Sequence, residues 1–182
     1  MNNSFIILLM GRSGSGKTTV AEKLKEMYDW NQIYSYTTRK PRYENEPGHI
    51  FTTENDYFKA QDLVAHTFFN NAHYWATAQQ VEENQVYVID PAGYDVFKDA
   101  YKGTKLVVPF ILECSDKTCF NRMIARGDSL EKASSRLIHD EQRFSNLQNI
   151  NAITLDSDNF TPEELAETIH WIINKAIINN NL

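Results

Sequence analysis

Residues Gly11-Arg12-Ser13-Gly14-Ser15-Gly16-Lys17-Thr18 satisfy G-x-x-x-x-G-K-[ST] at every fixed position, and no other feature constrains the chain as tightly. Glycines at these places let successive backbone N–H groups turn inward around phosphate oxygens. The lysine supplies a point charge to the β- and γ-phosphates, and the Thr18 hydroxyl is suited to ligate Mg²⁺. The helix that should follow adds its positive dipole end. At average residue frequencies the pattern arises by chance in roughly 4 of 100,000 windows, or below about 1% over this chain. A structural glycine turn without a ligand is the competing reading. Gly11, Ser13, Gly14, Ser15, Gly16, Lys17, Thr18 and Thr19 are therefore the candidate nucleotide-binding residues, with ATP and Mg²⁺ the expected cofactors and Thr18 the candidate metal ligand.

The flanking sequence fits this motif. Phe5-Ile6-Ile7-Leu8-Leu9-Met10 is an unbroken apolar run, as a strand buried on both faces of a parallel sheet requires. Val20, Leu24 and Met27 recur at helical spacing over 18–28. Further strands are predicted over 33–38, 86–90, 105–112 and 152–155, and Pro109 argues against the third of these being central. Helices are predicted over 117–126 and 130–146. A last helix opens at Thr161-Pro162-Glu163-Glu164, with an N-cap threonine, proline at the first helical position and glutamate at N3. Leu165, Ile169, Ile172 and Ile173 share its core face, and 179–182 should fray. Strands alternating with helices predict an α/β fold: a P-loop NTPase-type parallel sheet flanked by helices. From Arg39 to about Gln80 the pattern turns polar and aromatic, broken by Pro41, Pro47 and Gly48, which predicts an inserted lobe. The core then comprises about 1–38 and 81–182.

Composition excludes more than it identifies. A chain of 182 residues suits one domain, and 42% hydrophobic with 23% charged residues is ordinary globular content. The net charge of −6 gives no basic footprint for nucleic acid. The N-terminal apolar run is too short for a signal or a spanning helix, so a cytoplasmic location without membrane contact is expected. Cys114 and Cys119 have no partners at metal-ligand spacing. They read as two reduced thiols, with a redox pair as the sharper alternative.

Ser35-Tyr36-Thr37-Thr38-Arg39-Lys40-Pro41-Arg42 places two arginines three apart, and a pair of guanidinium forks can grip a terminal phosphate. Taken alone, a solvated basic turn is the competing reading. Five further segments follow in order. They are Gly48 with Phe51, His73-Tyr74-Trp75-Ala76-Thr77, Ile89-Asp90-Pro91-Ala92-Gly93, Arg122-Met123-Ile124-Ala125-Arg126-Gly127, and Arg136-Leu137. Together they resemble the guanylate kinase family, whose segments read S-x-T-T-R-x-P-R, N-Y-Y-G-[ST], I-D-x-x-G and R-x-x-x-R-G. The resemblance covers roughly residues 5 to 175. It implies an acceptor-binding lobe over about 39–80 and a helical lid over about 122–137. It also implies that Arg39 and Arg42 hold the acceptor phosphate while Ser35, Thr77 and Asp90 face the base. By the same resemblance Arg122, Arg126 and Arg136 close over the ATP phosphates. Lys17, Arg39, Arg122, Arg126 and Arg136 are then the catalytic set. Arg122 and Arg126 at i, i+4 also suit a two-point clamp, though a salt-bridged surface helix has the same spacing. Asp90 has its own alternative, a strand-end turn residue.

Departures from the family cluster on the acceptor side. Asn45, flanked by Glu44 and Glu46, stands where the family has an acidic residue. Phe51 and Trp75 replace tyrosines, Ala76 replaces glycine, and His66 replaces the glutamate that reads guanine. A carboxylate accepts two N–H donors from guanine, whereas neutral histidine offers one donor and one acceptor. Either Glu44 or Glu46 substitutes, or the acceptor differs, or His66 is simply packed among Leu63, Val64, Phe68 and Phe69. The expected activity is phosphoryl transfer from ATP to a nucleoside monophosphate, GMP or dGMP first, acting as monomer or homodimer. A different or modified nucleotide or a phosphosugar as acceptor is the main alternative, ahead of a non-catalytic binding module and a P-loop ATPase switch.

Overall fold

The computed structural model describes residues 4–41, 44–46, 48–145 and 150–180. Arg42, proposed above for the acceptor phosphate, lies outside the described residues, as do 181 and 182 of the tail.

Strand β1 (Phe5–Met10) is buried along its whole length and forms the axis of the fold. It pairs in parallel with β6 (Val86–Val88) on one side and β7 (Leu106–Glu113) on the other, and β7 pairs in parallel with β8 (Ile153–Asp156). Side chains alternate across a strand, so β1 feeds two cores. Phe5, Ile7 and Leu9 pack with Val20, Ala21 and Leu24 of α1 (Lys17–Tyr28) and with Leu165, Ile169 and Ile173 of α7 (Pro162–Asn180). Ile6, Leu8 and Met10 face the opposite side, with Tyr87 and with Phe97 of α4 (Pro91–Ala100). Each such burial is worth about 1.5–3 kcal/mol, which is why an uninterrupted apolar run defines the centre of the sheet.

Pro109 sits inside the central strand β7, opposite Leu8. The missing N–H explains how. Leu106 donates to the Ser4 carbonyl on the β1 side, so alternation turns position 109 toward the β8 side. There the β8 register begins only at Phe110, and proline leaves no partner unsatisfied.

A second sheet has the order β3-β2-β5-β4. It is built from β2 (Ser35–Thr37), β3 (His49–Phe51), β4 (Leu63–Phe69) and β5 (Ala72–Thr77), and the strand expected over 33–38 belongs here rather than in the parallel sheet. Asn70 and Asn71, at φ 48° and 57°, make the two-residue turn that joins β4 to β5. Two short helices, α2 (Glu54–Lys59) and α3 (Ala78–Glu83), flank these strands, each opened by a threonine capping box. In the C-terminal half, α5 (Asp116–Ala125) and α6 (Leu130–Arg143) pack on one another across a turn at Gly127.

One reading of the sequence is corrected. Cys114 and Cys119 are not two free thiols but a disulfide joining the end of β7 to α5, with Cα atoms 6.4 Å apart. Only four residues lie between them, and the turn into α5 brings their Cα atoms within bridging range.

Candidate active site

The phosphate loop leaves β1 at Gly11 and enters α1 through Gly16, whose φ of 90° is the left-handed conformation that glycine supplies without strain. Gly14 is fixed by a close approach: a Cβ there would stand 2.4 Å from the Cys119 carbonyl oxygen of α5. Loop and α5 are thereby in backbone contact.

Lys17 heads α1 with its ammonium turned back on the loop. It donates to the carbonyls of Gly11 (2.6 Å) and Arg12 (2.8 Å) and to Ser15 Oγ (3.4 Å). The amine is enclosed although its stem is partly exposed, and that burial lowers its pKa to about 8, against the opposing pull of Asp140 and Asp90. Thr18 and Thr19 remain exposed at the head of the helix. They open into a cleft of about 520 Å³ shared with Arg122, Arg126 and Phe160. Arg122 is locked in place: Nη1 donates to Ser157 Oγ (2.7 Å), Nη2 to the Ser157 carbonyl (2.6 Å), and Ser157 Oγ donates to the Ser15 carbonyl (2.8 Å). Arg126 instead forks onto Asp128 through Nε (2.9 Å) and Nη2 (2.7 Å), where Lys132 (3.1 Å) and Arg136 (3.7 Å) also converge. Partial burial alone would raise the Asp128 pKa, yet hydrogen bonds from Arg126 and Lys132 and the charge of Arg136 hold it below the usual carboxylate range.

A second cleft, of about 250 Å³, opens between the phosphate loop and the second sheet. Ser13 and Lys17 line both clefts. On the far wall Ser35 Oγ lies 3.2 Å from the Tyr87 hydroxyl, whose burial raises its pKa. Asp90 caps α4. Its Oδ1 accepts from the Gly93 N–H (2.7 Å) and Thr67 Oγ1 (2.9 Å), and its Oδ2 from Arg143 Nη2 (2.5 Å). Arg39 and Phe51 do not line this cleft: Arg39 makes a bidentate pair with Glu46 (3.0 and 2.9 Å), which raises its pKa, and its guanidinium lies 5.1 Å over the Phe51 ring.

Three residues read from sequence as acceptor contacts are engaged elsewhere. Trp75 is buried between Tyr36 and Tyr57. Thr77 spends its hydroxyl on the Gln80 N–H as the cap of α3. His66 borders the second cleft, but its ring stacks with Tyr57, and its Nε2 lies 2.9 Å from His73 Nδ1. Burial and the neighbouring His73 lower its pKa. Strand alternation explains the split: Thr67 and Tyr74 face the cleft, whereas His66, His73 and Trp75 face α2.

Sequence reading missed Thr67, Tyr74, Tyr87, Asp128, Asp140 and Arg143. Asp140 left a signal. It repeats Ala133 at i+7 on the buried stripe of α6, where a carboxylate is out of place.

Compared with known proteins, residues 7–145 match the model of a family described as AAA domain. Compared by sequence, no curated protein matches the chain significantly. Among solved structures, a guanylate kinase from Anaplasma phagocytophilum aligns with a TM-score of 0.65 at 21% identity, over 95% of this chain and 86% of that one. A sugar kinase from Janibacter sp. HTCC2649 aligns at 0.54 and 18% identity, over 91% and 92%. These likenesses bear out the expected α/β P-loop NTPase fold.

Proposed function

Because the chain belongs to the AAA domain family, we propose that its phosphate loop serves an ATP-dependent phosphotransferase, with a nucleoside monophosphate as acceptor and GMP or dGMP first. The observation that carries this reading is that two clefts meet at Ser13 and Lys17. An ATPase switch or a binding module needs one nucleotide site, whereas group transfer needs two that touch. Phosphoryl transfer asks mainly for positioning and cationic charge, and the residues are of that kind.

In this reading Lys17 exchanges the Gly11 and Arg12 carbonyls for phosphate oxygens, and Arg122, held by Ser157, orients the donor's phosphates. Arg126 and Arg136 leave Asp128 to neutralise charge on the transferred group. Arg39 receives the acceptor phosphate beside Phe51, and Ser35 and Asp90 stand toward the rest of the acceptor. The exposed Thr18 hydroxyl at the head of α1 fits a magnesium ligand, and Mg²⁺ bound with ATP would shield phosphate charge there.

A second acceptor class has a specific argument behind it. With His66, Trp75 and Thr77 engaged elsewhere, Asp90 paired with Arg143 and Asp140 with the Ser13 N–H, the cleft offers an acceptor the hydroxyls of Ser35, Thr67, Tyr74 and Tyr87 beside His49. Hydroxyls donate and accept alike, so they select guanine less than a carboxylate would. Another or modified nucleotide, or a phosphosugar, then becomes the substrate. The test is ADP release with Mg²⁺ across GMP, dGMP, AMP, UMP, dTMP, CMP and ribose 1,5-bisphosphate. Turnover confined to GMP and dGMP supports the first acceptor. Preference for another supports the second, and tight ATP binding without any turnover defeats the phosphotransferase reading.

A further inference from the structure

Helix α6 crosses the mouth of the phosphate loop, and two of its side chains hold groups that the substrates themselves need. Asp140 is only 5% exposed, and its Oδ2 accepts the backbone N–H of Ser13 at 2.5 Å. Arg143, one turn on, donates to Asp90 at 2.5 Å, with its guanidinium 4.5 Å over the Phe69 ring. Both line the second cleft beside Lys17.

A buried carboxylate is costly unless it is paired. Asp140 finds its compensation in a backbone donor of the phosphate loop and in the nearby Lys17 charge. Loop N–H groups and a lysine at a helix start are the elements of an anion site, so Asp140 does there what a phosphate oxygen would do. A nucleotide brings several negative charges to the same place, and a carboxylate and a phosphate repel at hydrogen-bond distance. One must leave. Asp140 and Arg143 share a face of one rigid helix, as does Arg136, at spacings of four and three residues. Releasing one end of that face therefore disturbs the other.

We propose that α6 is a two-point strap across the reaction site: Asp140 occupies the place of a phosphate oxygen at the Ser13 N–H while Arg143 holds Asp90, and an arriving nucleotide opens the strap by displacing Asp140, freeing Arg143 for the acceptor. The inference rests on the phosphotransferase reading for its acceptor half, and on nucleotide binding alone for its test.

The test is calorimetric titration of the full chain with MgADP at neutral pH, for wild type, Asp140→Asn, Arg143→Gln and the double variant. Asparagine keeps the shape and an acceptor oxygen but removes the charge. If the open form is about one molecule in ten, Asp140→Asn binds about tenfold tighter, because apparent affinity scales with the competent fraction. Arg143→Gln also tightens binding, and the double variant gains less than the product of the two, since both act on one equilibrium. Unchanged or weaker binding by Asp140→Asn, or strictly multiplicative effects, overturns the strap while wild-type binding upholds the nucleotide site. No binding by wild type and variants alike overturns both. Should Asp140→Asn fail to fold, amide exchange of the wild type decides. MgADP should speed exchange over 137–143 while slowing it over 11–19, and slowing over both rejects the strap.

Discussion

Replacing Ser157 by alanine tests how the cleft proposed for the donor is held. Ser157 is 2% exposed, and its hydroxyl joins two elements by accepting from Arg122 at 2.7 Å and donating to the Ser15 carbonyl at 2.8 Å. A bond to a charged group is worth about 1.5–3 kcal/mol and a neutral one about 0.5–1.5. Arg122 keeps the Ser157 carbonyl at 2.6 Å and, more weakly, the Gly14 carbonyl at 3.4 Å, so the loss lies toward the lower end. We expect Ser157→Ala to cost about 2–3 kcal/mol, or about 4–12 °C in Tm for a chain of this length. Circular dichroism melts measure that cost. Arg122 lines the first cleft and not the second, so if the first seats the donor as proposed, KM for ATP should rise while KM for the acceptor stays unchanged. A melting shift within about 1 °C, which is under 1 kcal/mol at this size, together with an unchanged ATP KM, would refute the idea that Ser157 positions Arg122.

Three other outcomes follow from the site and its surroundings. Lys17 has its pKa lowered to about 8 by burial, so binding phosphate above that pH requires taking up a proton; MgADP affinity should weaken about tenfold per pH unit there, checked by calorimetry in buffers of differing ionisation enthalpy. The sign for folding is opposite: the unfolded chain keeps this proton to higher pH, so Lys17's contribution to stability rises from about pH 8 toward its ordinary value of 10.5. Reducing the Cys114–Cys119 bond should cost about 2 kcal/mol by loop-closure entropy, read from urea unfolding with and without reductant. Arg39→Lys forfeits the bidentate fork and should raise acceptor KM by about 10-fold or more, with MgADP affinity unchanged in titration.

What could be read from sequence depended on how locally each feature is determined. The phosphate loop and β1 were legible because their chemistry lies in contiguous residues and one apolar run. The capping box of α7 was legible for the same reason, and Thr161 and Glu164 do exchange hydrogen bonds as expected. The second sheet was not. Its β2 pairs with β3, a dozen residues on, and the backbone shifts register between Leu63 and Ala65 of β4, so the alternation that marks a half-buried strand is interrupted. Asn70-Asn71 was a hairpin signal that went unread. On the acceptor side, position in a motif did not decide direction: His66 and Thr67 are neighbours in sequence but stand on opposite faces of β4. Asp140 and Arg143 belong to no short motif. They reach the site only because α6 lies across the loop, which is tertiary information.

The two clefts share Ser13 and Lys17 as a common wall, with consequences for inhibition. A single molecule carrying donor and acceptor groups on one polyphosphate chain would lose its translational freedom once while filling both. Once one end is seated, the other is presented to its cleft at a high effective concentration set by the length of the tether. Too short a tether leaves one end outside, and too long a one dilutes the gain. Affinity across a series of such molecules with successively longer phosphate bridges should therefore pass through a maximum, and the bridge length at that maximum would measure the distance between the seats of donor and acceptor.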